Sequence, residues 1–441
     1  MLGPSLVLLG LGLGSGELIL WPYLVSRFGL GIIWAAVVGI GFQFFVNMEI
    51  ERYSLARGES IFVGFARYFR GFPYWFILST FFAWIWPGII AVSAKIFAYS
   101  FGVSHFEYLG IALLLLIGVI LTLGPRVYKT IEGFQKVAIG LGVPLILLIT
   151  LVAAKGADWQ ALSRGLIGIG EGYLFLPKDI PLLVFLGALA YSGAGGNLNL
   201  AQSFYIKEKG YGMCYGTRGI SSVLTGKAEK HDLEGRTFSL TRENLNLFRR
   251  WWRVANLEHF VVFFLTGAMT IVLLALLSYA TTKGLGLNTE GVNFIIDEAK
   301  AISSGLWPYL GGLFLITVAI LLFGCQLTIL DSTSRIMAEN VVILRRGINL
   351  SKAYYLILWL QIIAAIAVFL SGYRDPFVLV VTGAVINAAT MFVHIGATYL
   401  LNRHALPRAL RPSLWRQLVI GVAWLFFGAL LFYSLWSYLI K

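Results

Sequence analysis

Apolar residues in this chain do not alternate with polar ones; they run on continuously, for about twenty residues at a time, which is enough for a helix to cross a ~30 Å hydrocarbon core. The runs predict spans over residues 5–27, 30–50, 74–101, 107–124, 134–154, 181–204, 257–281, 307–331, 353–371, 376–401 and 415–437. Membrane β-strands would be shorter and would alternate, so a barrel is excluded. The pattern describes an all-α polytopic membrane protein of about eleven transmembrane helices. Its first run starts at Met1 without a basic leader and passes through Trp21 into a mature-looking helix, so no cleavable signal is expected.

Composition agrees. Hydrophobic residues make up 58% of the 441 and charged residues 12%, whereas a soluble domain carries about a quarter charged residues. Mean hydropathy is +0.81. The net charge of +13 would suit a nucleic-acid partner, but in a polytopic protein excess Lys and Arg marks cytoplasmic loops. Most of the basic residues fall in one alternating set of gaps: Arg52 to Arg70, Arg126 to Lys136, the segment 206–256, Arg335 to Lys352, and Arg403 to Arg416. The opposite set holds only Arg27, Lys155, Arg164, Lys178, Lys283, Lys300, Arg374 and Lys441. This bias predicts a plasma (inner) membrane protein with its N-terminus in the cytoplasm and, after an odd number of crossings, its C-terminus outside. The expected partners are the lipid bilayer and a small ion or solute, with no nucleic acid; nothing indicates an oligomeric state. Cys214 and Cys325 form no CxxC, so neither a disulfide framework nor a zinc site is expected.

The segment 205–256 reads as a cytoplasmic loop. It contains Lys227, Glu229, Lys230, His231 and Asp232, then the run Arg249-Arg250-Trp251-Trp252-Arg253. That run suits an interfacial helix with Trp at headgroup level and Arg toward anionic lipid; a regulatory or partner-binding role is the alternative.

Glycine interrupts the apolar pattern at two places. The first run contains Leu13-Gly14-Ser15-Gly16-Glu17-Leu18, and the sixth contains Tyr191-Ser192-Gly193-Ala194-Gly195-Gly196-Asn197. Each glycine weakens a helix by roughly 1 kcal/mol relative to Ala. In hydrocarbon, released backbone groups also need partners, so such breaks are tolerated where they line a cavity or meet a solute. The two breaks take matching places if spans one to five form one unit (about 5–154) and six to ten another (about 181–401), with 415–437 an extra helix. Interrupted segments at corresponding positions of two halves point to a transporter's binding site; close helix packing through small residues is the alternative. Glu17, a carboxylate in an apolar helix, is costly unless it faces a cavity or a partner. It is a candidate to bind a cation or proton, or to cap the second half-helix.

Around these residues the chain resembles the Nramp family of proton-coupled divalent-metal transporters. Gly3-Pro4 before the first break, the stretch from Trp34 to Met48, and Ala56-Arg57-Gly58-Glu59 carry the resemblance. Phe101-Gly102, Ile131-Glu132-Gly133-Phe134, Ala157-Asp158-Trp159 and Gly196-Asn197-Leu198-Asn199-Leu200-Ala201-Gln202-Ser203 add to it. It implies the LeuT-type fold, a 5+5 inverted repeat with helices one and six broken. The departures fall on the chemistry. The family's DPGN reads Gly14, Ser15, Gly16, Glu17 here, and its MPHN reads Ala194, Gly195, Gly196, Asn197. A second family histidine falls at Ala201, and acidic positions of the third helix at Trp86 and Ile89. Loss of the thioether removes preference for soft metals. The remaining candidate substrate-binding residues are Gly14, Ser15, Gly16, Glu17, Ala194, Gly195, Gly196, Asn197, Asn199 and Gln202, with Glu17 and Asn197 as metal ligands. An all-oxygen set suits Mg²⁺ or Mn²⁺ as cargo, with no resident cofactor.

Other polar groups have simpler expectations. Lys95 is expected to snorkel to the outer surface, with an ion pair to a buried acid as the alternative. Asp331 and Arg335 pair at i,i+4 near the cytoplasmic end of the eighth span, and Glu49, Glu51 and Arg52 form an interfacial cluster. His394 is expected to make an ordinary interhelical hydrogen bond, with titration near neutral pH as the alternative, while Gln326, Thr328 and Asn387 are candidate cavity linings. Three functions fit: a secondary transporter of divalent cations, a transporter of a small organic solute such as an amino acid or amine, and a membrane receptor or scaffold without transport. An enzyme is not expected, because no nucleophile–base pair, HExxH or phosphate loop is present.

Overall fold

A bilayer offers backbone groups no hydrogen bonds, so apolar runs of this length can satisfy themselves only as helices. The computed structural model describes residues 3–124, 127–215, 233–283, 291–373 and 375–440. The charged stretch from Lys227 to Asp232, together with Arg126, Arg374 and Lys441, lies outside these residues. Among the described residues ten helices are long and apolar enough to span: Pro4–Phe28, Leu30–Arg57, Phe72–Phe101, Phe106–Leu123, Val127–Ala153, Arg242–Thr282, Leu310–Leu344, Leu350–Leu370, Pro376–Ala405 and Leu414–Leu439. The predicted sixth span is the eleventh segment. It is divided into Leu182–Ala190, a 3₁₀ stretch Gly196–Ala201 and Gln202–Lys209, each too short to cross alone. Spans are numbered one to eleven in this chain order. The molecule is a multi-pass, all-helical membrane protein.

At spans five and eight, where boundaries differ from the hydropathy reading, buried polar residues are the cause. Span five starts at Val127 rather than 134 because Glu132 is paired inside the protein, with Lys209 at 2.9 Å and Lys136 at 3.0 Å. Span eight continues to Leu344, so the Asp331–Arg335 pair is buried well within the helix instead of lying near its end. Span seven begins at Arg242, so the basic aromatic run forms the early turns of a spanning helix and not the tail of a loop. Arg249, Arg250 and Arg253 are exposed there while Trp251 and Trp252 are half-buried. Short helices Gly156–Gly165 and Asn293–Gly305 cover the other end of the bundle. There Lys283 donates to Glu171 and holds that carboxyl below the usual carboxylate range.

Ionic contacts gather where the basic gaps meet the bundle. Arg335 Nε donates to both oxygens of Asp331 at 2.8 Å and its guanidinium also pairs with Glu208. The Tyr354 hydroxyl donates to Asp331 at 2.8 Å. Glu49 receives Arg52 at 2.6 Å and Arg416 at 3.0 Å, and both guanidinium groups lie over the Trp252 ring, at 3.9 and 5.1 Å. The expected cluster of Glu49, Glu51 and Arg52 is thus buried rather than interfacial, and Glu51 turns away from it. Lys95 is half-buried, with Asp375 at the start of span ten as the neighbouring charge.

Removing one partner from a buried ion pair leaves an uncompensated charge at a cost of about 3–5 kcal/mol. Arg335→Leu strips both Asp331 and Glu208 of their cation and should lower the thermal unfolding midpoint of the detergent-solubilised protein markedly. Arg346→Leu removes the exposed pair with Glu234 and should leave that midpoint nearly unchanged.

Candidate functional site between two broken helices

Span one is helical from Pro4 to Gly12. Leu13 and Gly14 then leave helical geometry (φ −65°, ψ 57° and φ −142°, ψ −125°), and a π-helical stretch Ser15–Leu20 leads into Trp21–Phe28. Short π-helical segments are frequent at functional sites. In span six the helix stops at Ala190. Gly195 and Gly196 take φ values of 76° and 52°, the left-handed region that favours glycine. Both breaks expected from the glycine pattern are therefore present.

The breaks are built against each other. A Cβ on Gly16 would collide with the Tyr191 carbonyl, and one on Gly12 would sit 3.3 Å from the Gly193 carbonyl carbon. Trp21 Nε1 donates to Ser192 Oγ at 2.9 Å. Gln43 of span two serves the backbone of the sixth break: its amide donates to the Ala190 carbonyl at 3.1 Å and accepts from the Gly195 N–H at 3.2 Å. Asn387 of span ten donates to the Tyr191 hydroxyl at 2.9 Å. Trp84 stacks on the Tyr191 ring with centroids 5.5 Å apart.

Trp84 stands at a third break. Span three is helical over Phe72–Trp84 and again over Gly88–Phe101. Pro87, which lacks an N–H and blocks the preceding turn, interrupts a run that hydropathy reads as continuous. Trp84, Pro87 and Gln43 were missed by sequence reasoning. The Trp86-Pro87-Gly88 triplet was the signal available for the break; Gln43 had none beyond being polar in an apolar run.

The sequence candidates separate into neighbouring groups. Glu17 is fully buried, and neither carboxylate oxygen has a hydrogen-bond donor. It does not cap the half-helix. One of its oxygens is near both Gly12 and Gly267 of span seven. The Thr270 hydroxyl faces the carboxylate too, but donates to the Thr266 carbonyl at 2.5 Å. Gly14 packs on Cys325 of span eight, whose thiol donates to the Leu11 carbonyl at 3.2 Å. A sulfur at the first break was not foreseen. Ser15 and Ala194 are buried beside the breaks.

Asn197 faces span three, donating to Ser79 at 2.8 Å and Thr80 at 2.9 Å, with its Oδ1 free of donors. Asn199 donates to the Gly196 carbonyl at 3.5 Å, and Gln202 to Glu51. Glu17 thus faces span seven, Asn197 span three and Gln202 span two. Among the described residues no group of three or more His, Cys, Asp and Glu side chains is placed to hold a metal. His394 is buried, and the group facing its ring from span six is the backbone of Gly196. Thr328 receives Gln135 at 2.8 Å, so it serves packing between spans five and eight.

No family model matches the chain, and no curated protein matches it in sequence. Its three-dimensional arrangement is that of LeuT-type transporters. A mutant of the Eremococcus coleocola manganese transporter matches with a TM-score of 0.71 at 13% identity, over 99% of this chain and 86% of that one. The same transporter bound to an aromatic bis-isothiourea compound matches at 0.69 and 12%, over 99% and 86%. MhsT in complex with L-phenylalanine matches at 0.54 and 14%, over 98% of each chain. At these identities the likeness is one of fold.

The contact of Gly16 with the Tyr191 carbonyl leaves no space for a side chain. Gly16→Val should force the breaks apart, and the folded yield in detergent should fall well below that of Gly140→Val, a position where a Cβ meets nothing within 4 Å. Equal yields and equal melting would show that the breaks can separate without cost.

Proposed function

We propose that this protein is a secondary transporter carrying a small cation, of the Mg²⁺ or Mn²⁺ type, through the site between its broken helices. The observation that carries this reading is the excess of acceptors there: both Glu17 oxygens, Asn197 Oδ1 and Asn387 Oδ1 are buried without a donor. A buried carboxylate with no hydrogen bond is costly in an apolar surrounding and is stabilised by a cation. Oxygen ligands favour hard dications. The Cys325 thiol, with its proton committed to Leu11, adds only a weak neutral donor. In this reading the basic gaps face the cytoplasm, placing the N-terminus inside and the C-terminus outside.

A second reading has its own support. The Trp84–Tyr191 stack supplies an aromatic wall beside the sixth break, suited to the positive end of an amine-bearing solute through cation–π attraction. The fold accommodates either cargo, since one solved neighbour is a manganese transporter and another holds an amino acid.

Purified protein in proteoliposomes should take up Mn²⁺ or Mg²⁺ above empty vesicles. Glu17→Gln, which keeps the shape and removes the charge, should reduce uptake about tenfold or more, equivalent to about 1.4 kcal/mol or more of lost interaction. Absence of metal uptake, together with thermal stabilisation by amines and not by metals, would decide for the organic solute. An unchanged Glu17→Gln variant would remove this carboxylate from the mechanism.

A further inference from the structure

Span two presents a polar line down one helical face. Gln43, Asn47 and Glu51 recur at intervals of four residues, so their side chains lie above one another, about 6 Å apart along the axis. All three are buried, with exposures of 0%, 0% and 1%. At the upper end Gln43 holds the backbone of the sixth break. In the middle, neither Asn47 amide atom has a partner. At the lower end Glu51 meets His259 of span seven, with His259 Nδ1 3.6 Å from Glu51 Oε1.

The His259 ring is clamped flat between Phe44 and Phe263, with centroids at 5.6 and 4.6 Å and interplanar angles of 16° and 6°. Its faces are thereby sealed by hydrocarbon, leaving only the nitrogen edges for polar contact. Nδ1 is 3.0 Å from Ser5 Oγ of span one, while Nε2 has no partner. Glu51 Oε1 receives Gln202, whereas Oε2 receives nothing. Buried acceptors of this kind carry a desolvation cost that a proton removes.

The surrounding charges are accounted for. Glu258, next to His259, is engaged by the Ser5 N–H at 3.3 Å and the Tyr211 hydroxyl at 2.8 Å. Lys209 of span six and Tyr128 of span five also act on Glu258, and Lys209 is paired with Glu132. On the other side Arg416 acts on Glu51 but is bound to Glu49 with Arg52. From span six itself the facing group is the neutral Gln202 amide, and from span one the Ser5 backbone and hydroxyl.

We infer that Glu51 and His259 form a proton-binding site that joins spans one, two, six and seven, and that the Gln43–Asn47–Glu51 face links it to the breaks. One proton binds on the Glu51 carboxylate, at the unpartnered Oε2, and leaves as H⁺, with His259 as the neighbouring ring and no other bond made or broken. Glu51 holds span six through Gln202 and His259 contacts span one through Ser5, so proton occupancy acts on the segments that carry the two breaks. Binding of the proton stands by itself. Its role as the coupling ion rests on the transport reading.

Two measurements separate these statements. Infrared difference spectra of the purified protein across about pH 5 to pH 8, where a desolvated carboxyl can hold its proton, should show a protonated-carboxyl band that Glu51→Gln abolishes and His259→Gln shifts in frequency. A band unchanged in both variants overturns the proton site, and His259→Gln serves alone where Glu51→Gln does not fold. In proteoliposomes Glu51→Gln should lose accumulation driven by a pH gradient while retaining exchange of labelled for unlabelled Mn²⁺. Gradient-driven accumulation equal to wild type overturns the coupling role. Wild-type vesicles that move no cargo overturn the transport reading instead, and the infrared band then decides proton binding without it.

Discussion

A helix that unwinds inside its own span releases backbone groups where lipid can satisfy none of them, and the rest of this molecule is arranged around that constraint. The two unwound segments are brought to backbone contact, which is why Gly16 meets the Tyr191 carbonyl with no space for a methyl group. Gln43 then ties in the freed backbone of the sixth break from outside it. Trp21 and Asn387 fasten the side chains of Ser192 and Tyr191. The large residues Trp84 and Tyr191 stack alongside, so apolar packing and hydrogen bonding stabilise the same geometry.

The charged residues follow a different logic. Ion pairs such as Arg335 with Asp331 and Glu208 are nearly inaccessible to solvent. Burial of this kind contributes little net stability but makes loss of either partner costly, so the pairs fix which helix ends can lie together. Glu51 and His259 stand apart from those closed pairs. Each keeps a polar atom without a partner although both are fully enclosed. Arg335 also keeps one Nη2 without a partner, but its charge is compensated by two carboxylates, whereas the Glu51 carboxylate has a neutral amide and an imidazole beside it.

In the proposed transport reading, a small number of atoms at the breaks would set the cargo. Glu17 supplies the charge and the amide oxygens of Asn197 and Asn387 supply neutral acceptors, while Cys325 and the Trp84–Tyr191 stack bring softer surfaces to the same region. Glu17 faces span seven, and the Asn197 amide nitrogen is held by span three with its Oδ1 left free.

What was legible in the sequence is what depends on local pattern. Continuous apolar runs located ten spans to within a few residues at most ends, because transfer into lipid sums over neighbours along the chain. Clustered glycines located both breaks, since the backbone freedom they confer belongs to the residue itself. The sequence could not show which way a buried polar side chain turns. Gln43, Cys325 and Trp84 reach the site, Glu51 leaves its sequence neighbours Glu49 and Arg52 for His259, and Asp331 pairs deep in a helix that hydropathy had ended there. Those outcomes depend on which helix lies opposite, and a contact between residues 51 and 259 leaves no periodic trace in either segment. Tertiary packing alone decided them.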